Sequence, residues 1–502
     1  MGKSLCDPEF MIHPLLYELN TRCWLCALSD QAGRGITLAN VPDSEFERWQ
    51  QLGFTHIWAM GVWITGPRSR AMALADPLLR KSLDEILPGW REEDVPGSPY
   101  AIANYEVPSA LGGEAGLKAF RKKLNDHGLK LLLDFVPNHL GLDHIWVTTR
   151  PDVFVQSPVE VPGTFPQQTS AGPRWLAHGK DPHFQPWTDT VQLDYRRPET
   201  RAAMLGLLQS IALRCDGVRC DMAMLILNDV FAKTWVNFPV ADPAPRSEFW
   251  ANAIPTVKNA TPGFLFLAEV YWNLQPQLQA LGFDYTYDKY IYDRLLDRRY
   301  ADLQRRLFEF SPAELAASAH FLENHDEHRI ASVLTPAEHR AAATLMLCLP
   351  GMRFLYEGQL QGWRLKVPVQ LGRWPAEPSN PEIVALYEKL LATLKDSAVG
   401  QGDWQLLRPI GWPDNPTAEN MVIIQWLKSP EQFELAVLNL SARPSQCRVQ
   451  FSIKELAAHD WEMRDLLGTE VYERHGPGLV ASGLYFDLPG NAAQLFRFVV
   501  KA

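Results

Sequence analysis

Along most of the chain the apolar residues repeat one unit: a helical stripe, a glycine or proline stop, then a short continuous apolar run. Ser44-Glu-Phe-Glu47 reads as a capping box, Phe46, Trp49 and Leu52 share a helical face, Gly53 stops the helix, and Phe54–Met60 reads as a buried strand. The unit returns with Leu117, Phe120 and Leu124 ahead of Gly128 and a strand over Leu129–Val136. It returns again with Met204, Leu208 and Ile211 on a Pro198–Arg214 helix, ahead of a strand over Gly217–Met222. Later copies end in Phe264–Val270, His320–Asp326 and, behind a helix opened by Thr335-Pro-Ala-Glu338, Met352–Glu357. Strands near Leu16–Leu19 and Phe283–Tyr287 bring the number to eight. This alternation predicts an α/β fold, a closed parallel (β/α)8 TIM barrel, with an open doubly wound sheet as the rival. No Gly-x-Gly-x-x-Gly follows the first strand, so a dinucleotide site lacks support.

Two regions break the repeat. The stretch 141–193, after the third strand, is rich in Pro, Trp, His and Thr and predicts an inserted subdomain. From about Gly402 the helices stop and strand-like runs follow at Met421–Leu427, Phe433–Leu440, Cys447–Ile453 and Gln494–Val500. In Cys447–Ile453 apolar and polar residues alternate, as in a sheet with one buried face. The expected layout is a barrel over 1–140 and 194–400, an insert over 141–193 and a C-terminal all-β sandwich over 401–502.

Composition narrows the functions. With 48 Lys+Arg against 58 Asp+Glu the net charge is −10, and without a basic run of five or more a nucleic-acid partner is not expected. The first residues lack the pattern of a secretory signal, and no apolar run is long enough to span a bilayer. Seven cysteines, at 6, 23, 26, 215, 220, 348 and 447, form no paired framework and fit reduced thiols in a cytosol. Cys23-x-x-Cys26 has no companion pair and reads as part of a buried strand rather than a zinc or redox site. The 17 Trp, 14 Tyr and 23 Phe suit a partner with apolar faces, such as a sugar, as well as a large core.

In a parallel barrel, chemistry gathers at the carboxyl ends of the strands. Here the third strand ends in Asp134-Phe-Val-Pro-Asn138-His139, the fourth in Arg219-Cys-Asp221, the fifth in Glu269 and the seventh in Asn324-His325-Asp326. A lone strand-end acid is ordinarily a cap, but acids behind apolar runs on four strands are harder to attribute to capping. Two close carboxylates are what retaining glycoside cleavage needs, one as nucleophile and one as general acid/base, about 5–5.5 Å apart against roughly 6.5–9.5 Å for inversion.

Taken together, Asp134–His139, Gly217–Asp221, Ala268-Glu-Val-Tyr-Trp272 and Phe321–Asp326 resemble, in order and placement, the four short regions of the α-amylase family of glycoside hydrolases. Ser98–Tyr105 resembles that family's tyrosine loop, and Pro350–Gly358 its eighth strand. The resemblance implies that Asp221 is the nucleophile, Glu269 the general acid/base and Asp326 a third acid that holds sugar hydroxyls. It implies that Tyr100 is a stacking platform and that His139 and His325 donate to the sugar. Arg219, two residues before Asp221 and on the same strand face, is expected to keep the nucleophile ionised. Tyr271 and Trp272 suggest an aromatic acceptor site. Glu327-His-Arg329 suggests a short, closed mouth, and His144, Trp146, Trp175 and Trp187 of the insert are candidates for distal sites. Asp134 and Asn138 are expected to shape the rim.

One segment departs from the family. Where calcium-dependent amylases carry Lys-His after the nucleophile, this chain has Met224-Leu225, so the substrate-contacting Lys is absent and structural Ca²⁺ is doubtful, with Asn138 as a remaining candidate ligand. No cofactor is required by this reading. The expected substrate is an α-glucan or maltooligosaccharide. Transfer or isomerisation by the same residues, an inactive binding module, and a metal-dependent hydrolase are the alternatives; the last would call for a His-x-His on an early strand, which is missing.

Overall fold

The computed structural model describes residues 13–238 and 246–501. Eight strands close into one parallel barrel: β1 (Leu15–Asn20), β2 (His56–Met60), β3 (Lys130–Phe135), β4 (Gly217–Cys220), β5 (Leu265–Ala268), β6 (Tyr285–Tyr287), β7 (Ser318–Phe321) and β8 (Met352–Tyr356). Closure runs through the pairing of β1 with β8, where Leu16 lies opposite Phe354. The period of two along each strand sorts the side chains. Leu16, Trp58, Leu132, Leu267, Tyr287, Phe321 and Phe354 fill the barrel interior. Tyr17, Ile57, Leu131, Leu133, Val218 and Phe266 turn outward against the helices.

This parity also aims the acids. Glu18 follows Leu16, Asp134 follows Leu132, Asp221 follows Arg219, and Glu269 follows Leu267, so each continues an inward-facing row past the apolar plug. The ladder extends one residue beyond β4 and β5: Asp221 N–H donates to Phe135 O at 2.9 Å and Glu269 N–H to Cys220 O at 3.0 Å. Both acids therefore leave the barrel from regular, hydrogen-bonded backbone.

The segment after β3 is held at its neck by antiparallel pairing of His139–Gly141 with Thr190–Gln192. Inside it Thr164–Thr169, Gly172–Ala177 and Gln156–Ser157 form a three-stranded sheet. Beyond the barrel a six-stranded antiparallel sheet, in the order Asp403–Leu407, Met421–Ser429, Gln432–Asn439, Ala493–Val500, Asp460–Asp465, Val471–His475, accompanies a two-stranded one of Ser445–Val449 and Leu484–Leu488. Leu435, Val437, Cys447, Trp461, Phe486 and Phe498 belong to the core between them. No helix among the described residues is long and apolar enough to cross a membrane.

Several local expectations are corrected. Cys23 and Cys26 lie on a helix, α1 (Thr21–Ala32), not a strand, because the Asn20 side chain accepts from Cys23 N–H and starts the helix. Cys23 Sγ donates to Leu371 O at 3.3 Å, and burial raises its thiol well above the ordinary range. The six cysteines that are described are all free, and Cys6 lies outside the described residues. The Ser44–Glu47 capping box does not form: helix α2 (Asp43–Gln51) begins two residues earlier, behind extended Pro42, with no side-chain cap. The box at Thr335 and Glu338 does form. The β-rich end also holds a short α-helix, Gly476–Ser482, and two 3-10 turns, Pro416–Asn420 and Leu456–Ala458.

Candidate active site

Arg219 is the centre of the cup. It is wholly buried, and its guanidinium reaches Asp221 Oδ1 through Nη1 at 2.8 Å and Glu269 Oε2 through Nη2 at 2.7 Å, with Asp134 Oδ1 3.7 Å from Nη1. Nε donates to Tyr287 Oη at 3.2 Å, and the planar group is packed on the rings of Trp58 and Tyr100, 5.2 and 5.3 Å from their centroids. A charge taken this far from water stays in place only when paired and hydrogen-bonded; here carboxylates and π faces supply that.

Those carboxylates respond unequally. Burial pushes Glu269 up, against the pull of Arg219 and with the help of Asp221 and Asp326, to about 7. Its oxygens are held by Met222 N–H and by the Tyr271 hydroxyl, each at 2.7 Å. Burial also raises Asp221, while the charge and hydrogen bond of Arg219 act to lower it. Asp134, buried and accepting from Gly61 N–H, is pushed up to about 7.

Asp326 behaves oppositely. Its side chain is 48% exposed to water in the open cup, yet it sits 3.0 Å from His325 Nε2. Desolvation in the cup works to raise it, but the charge and hydrogen bond of His325, with Arg219 and Lys366 behind them, bring it down to about 2. The loop is fixed by Asn324, whose side-chain oxygen accepts from both Asp326 N–H and Glu327 N–H.

His325 is buried and engaged at both ring nitrogens. Nδ1 donates to Glu18, and Nε2 lies 2.7 Å from the Tyr100 hydroxyl as well as beside Asp326. Burial opposes its charge, but Asp326 and Glu18 together raise its pKa well above the ordinary histidine range, which favours the imidazolium. The Tyr100 ring is stacked on it, centroids 5.4 Å apart at 22°. His139, in contrast, is neutral, lowered by burial to about 4, and packs against Trp187 at 5.1 Å.

Residues expected from sequence are thus joined by direct contacts: Arg219, Asp221, Glu269, Tyr271, Asp326, His325 and Tyr100. His139 stands beside them on the insert's neck. Trp272 is 38% exposed and edge-on to His183, and it lines a cavity of ≈ 450 Å³ with Tyr271, Met222, Phe184 and Lys289. Met222, Trp272 and Asn273 all hold left-handed backbone, φ 42°, 60° and 60°, a strain that marks both acid-bearing loops. Lys289 bridges to Glu327 at 3.4 Å and bonds to Asp293.

Glu18 was not anticipated. The signal was an acid within the apolar strand Leu-Leu-Tyr-Glu-Leu, in step with inward-facing Leu16. Tyr287 and Trp58 were also missed, since aromatic residues within strands read as ordinary core.

The rim offers little to a cation. The Asn138 backbone and side-chain oxygens both accept from the Gln192 side-chain amide at 2.9 Å, and Met224 and Leu225 are buried in a short helical turn. Among the described residues no group of three His, Cys, Asp or Glu side chains is placed to hold a metal ion.

Comparison with known proteins follows the same outline. Residues 49–370 match the family model of the alpha amylase catalytic domain. The chain is 26% identical over 268 residues to an alpha-amylase, MalA, of Haloarcula japonica, covering 52% of this chain and 36% of that protein. It is 27% identical over 229 residues to an alpha-1,4-glucan:maltose-1-phosphate maltosyltransferase of Rhodospirillum rubrum, covering 44% and 28%. The matched segment thus spans about a third of those relatives' own length. Among solved structures, the maltogenic alpha-amylase AmyB of Thermotoga neapolitana superposes with a TM-score of 0.66 over 97% of this chain and 99% of that one, at 19% identity. An alpha-amylase of Lactobacillus plantarum gives 0.66 over the same shares at 21% identity. The likeness to these structures is one of fold. The family model, spanning more than half of the chain and taking in the acids joined around Arg219, says more: the chain belongs to the alpha-amylase family.

Proposed function

We propose that this enzyme cleaves α-glucosidic linkages of maltooligosaccharides or related α-glucans by double displacement with retention. The observation that carries the reading is the Arg219 clamp: Asp221 and Glu269 bind adjacent nitrogens of one guanidinium. Carboxylates held on neighbouring nitrogens of one guanidinium are compatible with the paired-carboxylate arrangement that retaining cleavage uses.

The steps follow from the environments. Glu269, raised to about 7, carries a proton near neutrality and gives it to the glycosidic oxygen, while Asp221, stabilised as the anion by Arg219, attacks the anomeric carbon. The glycosidic bond breaks as the Asp221–sugar ester forms. Water or a second sugar, deprotonated by Glu269, then releases the glucosyl group. Asp326 is already ionised and faces the open cup, suited to accept from sugar hydroxyls. The Tyr100 ring, partly buried over His325 and Arg219, is the stacking surface, and neutral His139 can donate from the other side. His325 reaches a sugar hydroxyl only by letting Nε2 exchange one of its two present partners.

Transfer to a sugar acceptor is the second reading. Its support is the cavity lined by Tyr271 and Trp272, which follow Glu269 directly in the chain. We further propose that catalysis needs no calcium, since Gln192 already bridges the Asn138 oxygens.

The test is the anomeric configuration of the first product formed from a maltooligosaccharide, followed by proton NMR. Retention predicts the α-anomer, which then mutarotates; initial β-anomer contradicts the proposal.

A further inference from the structure

Asp326 is half open to water, so the position of its carboxylate depends on the loop that carries it. That loop runs from Glu323, just past β7, to Ile330, where a short helix begins. One buried carboxylate joins its two ends. Glu323 Oε1 accepts from Arg329 Nη1 at 2.8 Å, and Glu323 Oε2 accepts from Ile330 N–H at 2.6 Å. His325 and Asp326 lie between these ends.

Arg329, expected from sequence at the mouth, is inside instead: it is 1% exposed, and Glu323 is fully buried. Its guanidinium is walled by Tyr356, Trp374 and Trp363, 4.3, 5.6 and 5.9 Å from the ring centroids. It donates to two carbonyls of the segment after β8, from Nη1 to Glu357 O at 2.6 Å and from Nε to Leu365 O at 3.4 Å. The next residue, Lys366, donates to Asp326 O. One arginine thus ties the base of the acid's loop to the β8 segment, with a planar fork of donors that lysine lacks.

Stability alone is a weak account of this arrangement. Two charges held out of water gain little over well-packed apolar side chains of similar volume, and such a pair would suit the aromatic walls. What apolar side chains do not supply is direction: a carboxylate that takes the Ile330 N–H and a guanidinium that takes two carbonyls fix the geometry of the loop's base. We infer that Glu323 and Arg329 are positioning residues that hold Asp326 where it meets the sugar hydroxyls, acting through the loop without touching substrate. The inference rests on the role proposed for Asp326.

The test is a double-mutant cycle with Asp326→Asn, with kcat and KM measured on an activated aryl α-glucoside and the folded fraction measured alongside by circular dichroism. Two probes perturb the pair: Arg329→Lys, which keeps the charge without the fork, and Glu323→Gln combined with Arg329→Met, which leaves no charge buried alone. In the parent each probe lowers kcat about tenfold or more, with KM changed less than about threefold; in the Asp326→Asn background the same probes change kcat less than about twofold, because the acid they position is gone. Equal losses in the two backgrounds, or losses that follow the folded fraction, would make the pair a stability element and overturn the inference. The initial anomer from a maltooligosaccharide separates the two readings. The β-anomer would reject the proposed reaction, whereas equal losses with the α-anomer retained would reject only the positioning role.

Discussion

Glu18 on the first barrel strand accepts a hydrogen bond from His325 Nδ1 across 307 positions of sequence, and both residues are buried. The imidazole's other nitrogen faces Asp326, so one wholly internal acid stabilises the charge of the histidine that keeps a second acid ionised.

Replacing Glu18 with Gln removes that charge and keeps the shape. His325 then loses its proton at lower pH, and the support of Asp326 weakens. A hydrogen bond to a charged group contributes about 1.5–3 kcal/mol, so kcat/KM falls roughly ten- to a hundredfold, mainly in kcat, with a further alkaline loss from His325, separate from the Glu269 limb, moved to lower pH than in the parent. Thermal unfolding measured in parallel separates the cases. A lower Tm with unaltered kcat and pH profile would make Glu18 a packing residue only.

The pH profile carries a second prediction. A general acid must be protonated, so activity declines as pH rises through about 7, where Glu269 titrates. Asp326, near 2, contributes no limb in the working range, and the acidic limb belongs to Asp221, which must be ionised to attack. In Glu269→Gln that alkaline limb disappears. Turnover of maltooligosaccharides drops by about 10²–10⁴, while the first step on substrates with an activated leaving group is spared.

Trp272 tests the acceptor side. Its ring is half-open to water and held on strained backbone, a position that core packing does not explain. Trp272→Ala lowers the share of transfer products, and kcat/KM on disaccharides, by roughly two- to tenfold, in line with about 0.5–1.5 kcal/mol for an aromatic contact. Hydrolysis of an aryl glucoside serves as the control. Equal losses on both substrates would assign Trp272 to packing.

Chelation provides the fourth. With Gln192 bridging both Asn138 oxygens, excess EDTA leaves activity and Tm unchanged, and added Ca²⁺ does not raise them. A chelator-induced fall in Tm reversed by Ca²⁺ would contradict the no-calcium reading.

The sequence made the barrel legible because its period-two rows run unbroken into the acids: Leu132 to Asp134, Leu267 to Glu269. Parity alone states that these side chains turn inward. What stayed hidden depended on contacts between distant elements. Cys23 and Cys26 sit among Trp24 and Leu25, an apolar run that reads as strand until the Asn20 cap is seen to start a helix. That one guanidinium would take Asp221 and Glu269 together could be expected only for Asp221, two residues away on the same strand; Glu269 comes from a neighbouring strand. Glu18 is an acid without a motif, and its use becomes clear only when β1 and the loop after β7 meet at His325.

The central claim, that Asp221 attacks the anomeric carbon, is tested most directly by trapping. Incubation with a fluorinated glucosyl inactivator, proteolysis and mass spectrometry should find one glucosyl adduct, on the peptide containing Asp221, and Asp221→Asn should abolish labelling. An adduct on Asp326, Glu269 or any other residue, or inactivation without a covalent adduct, would contradict the account.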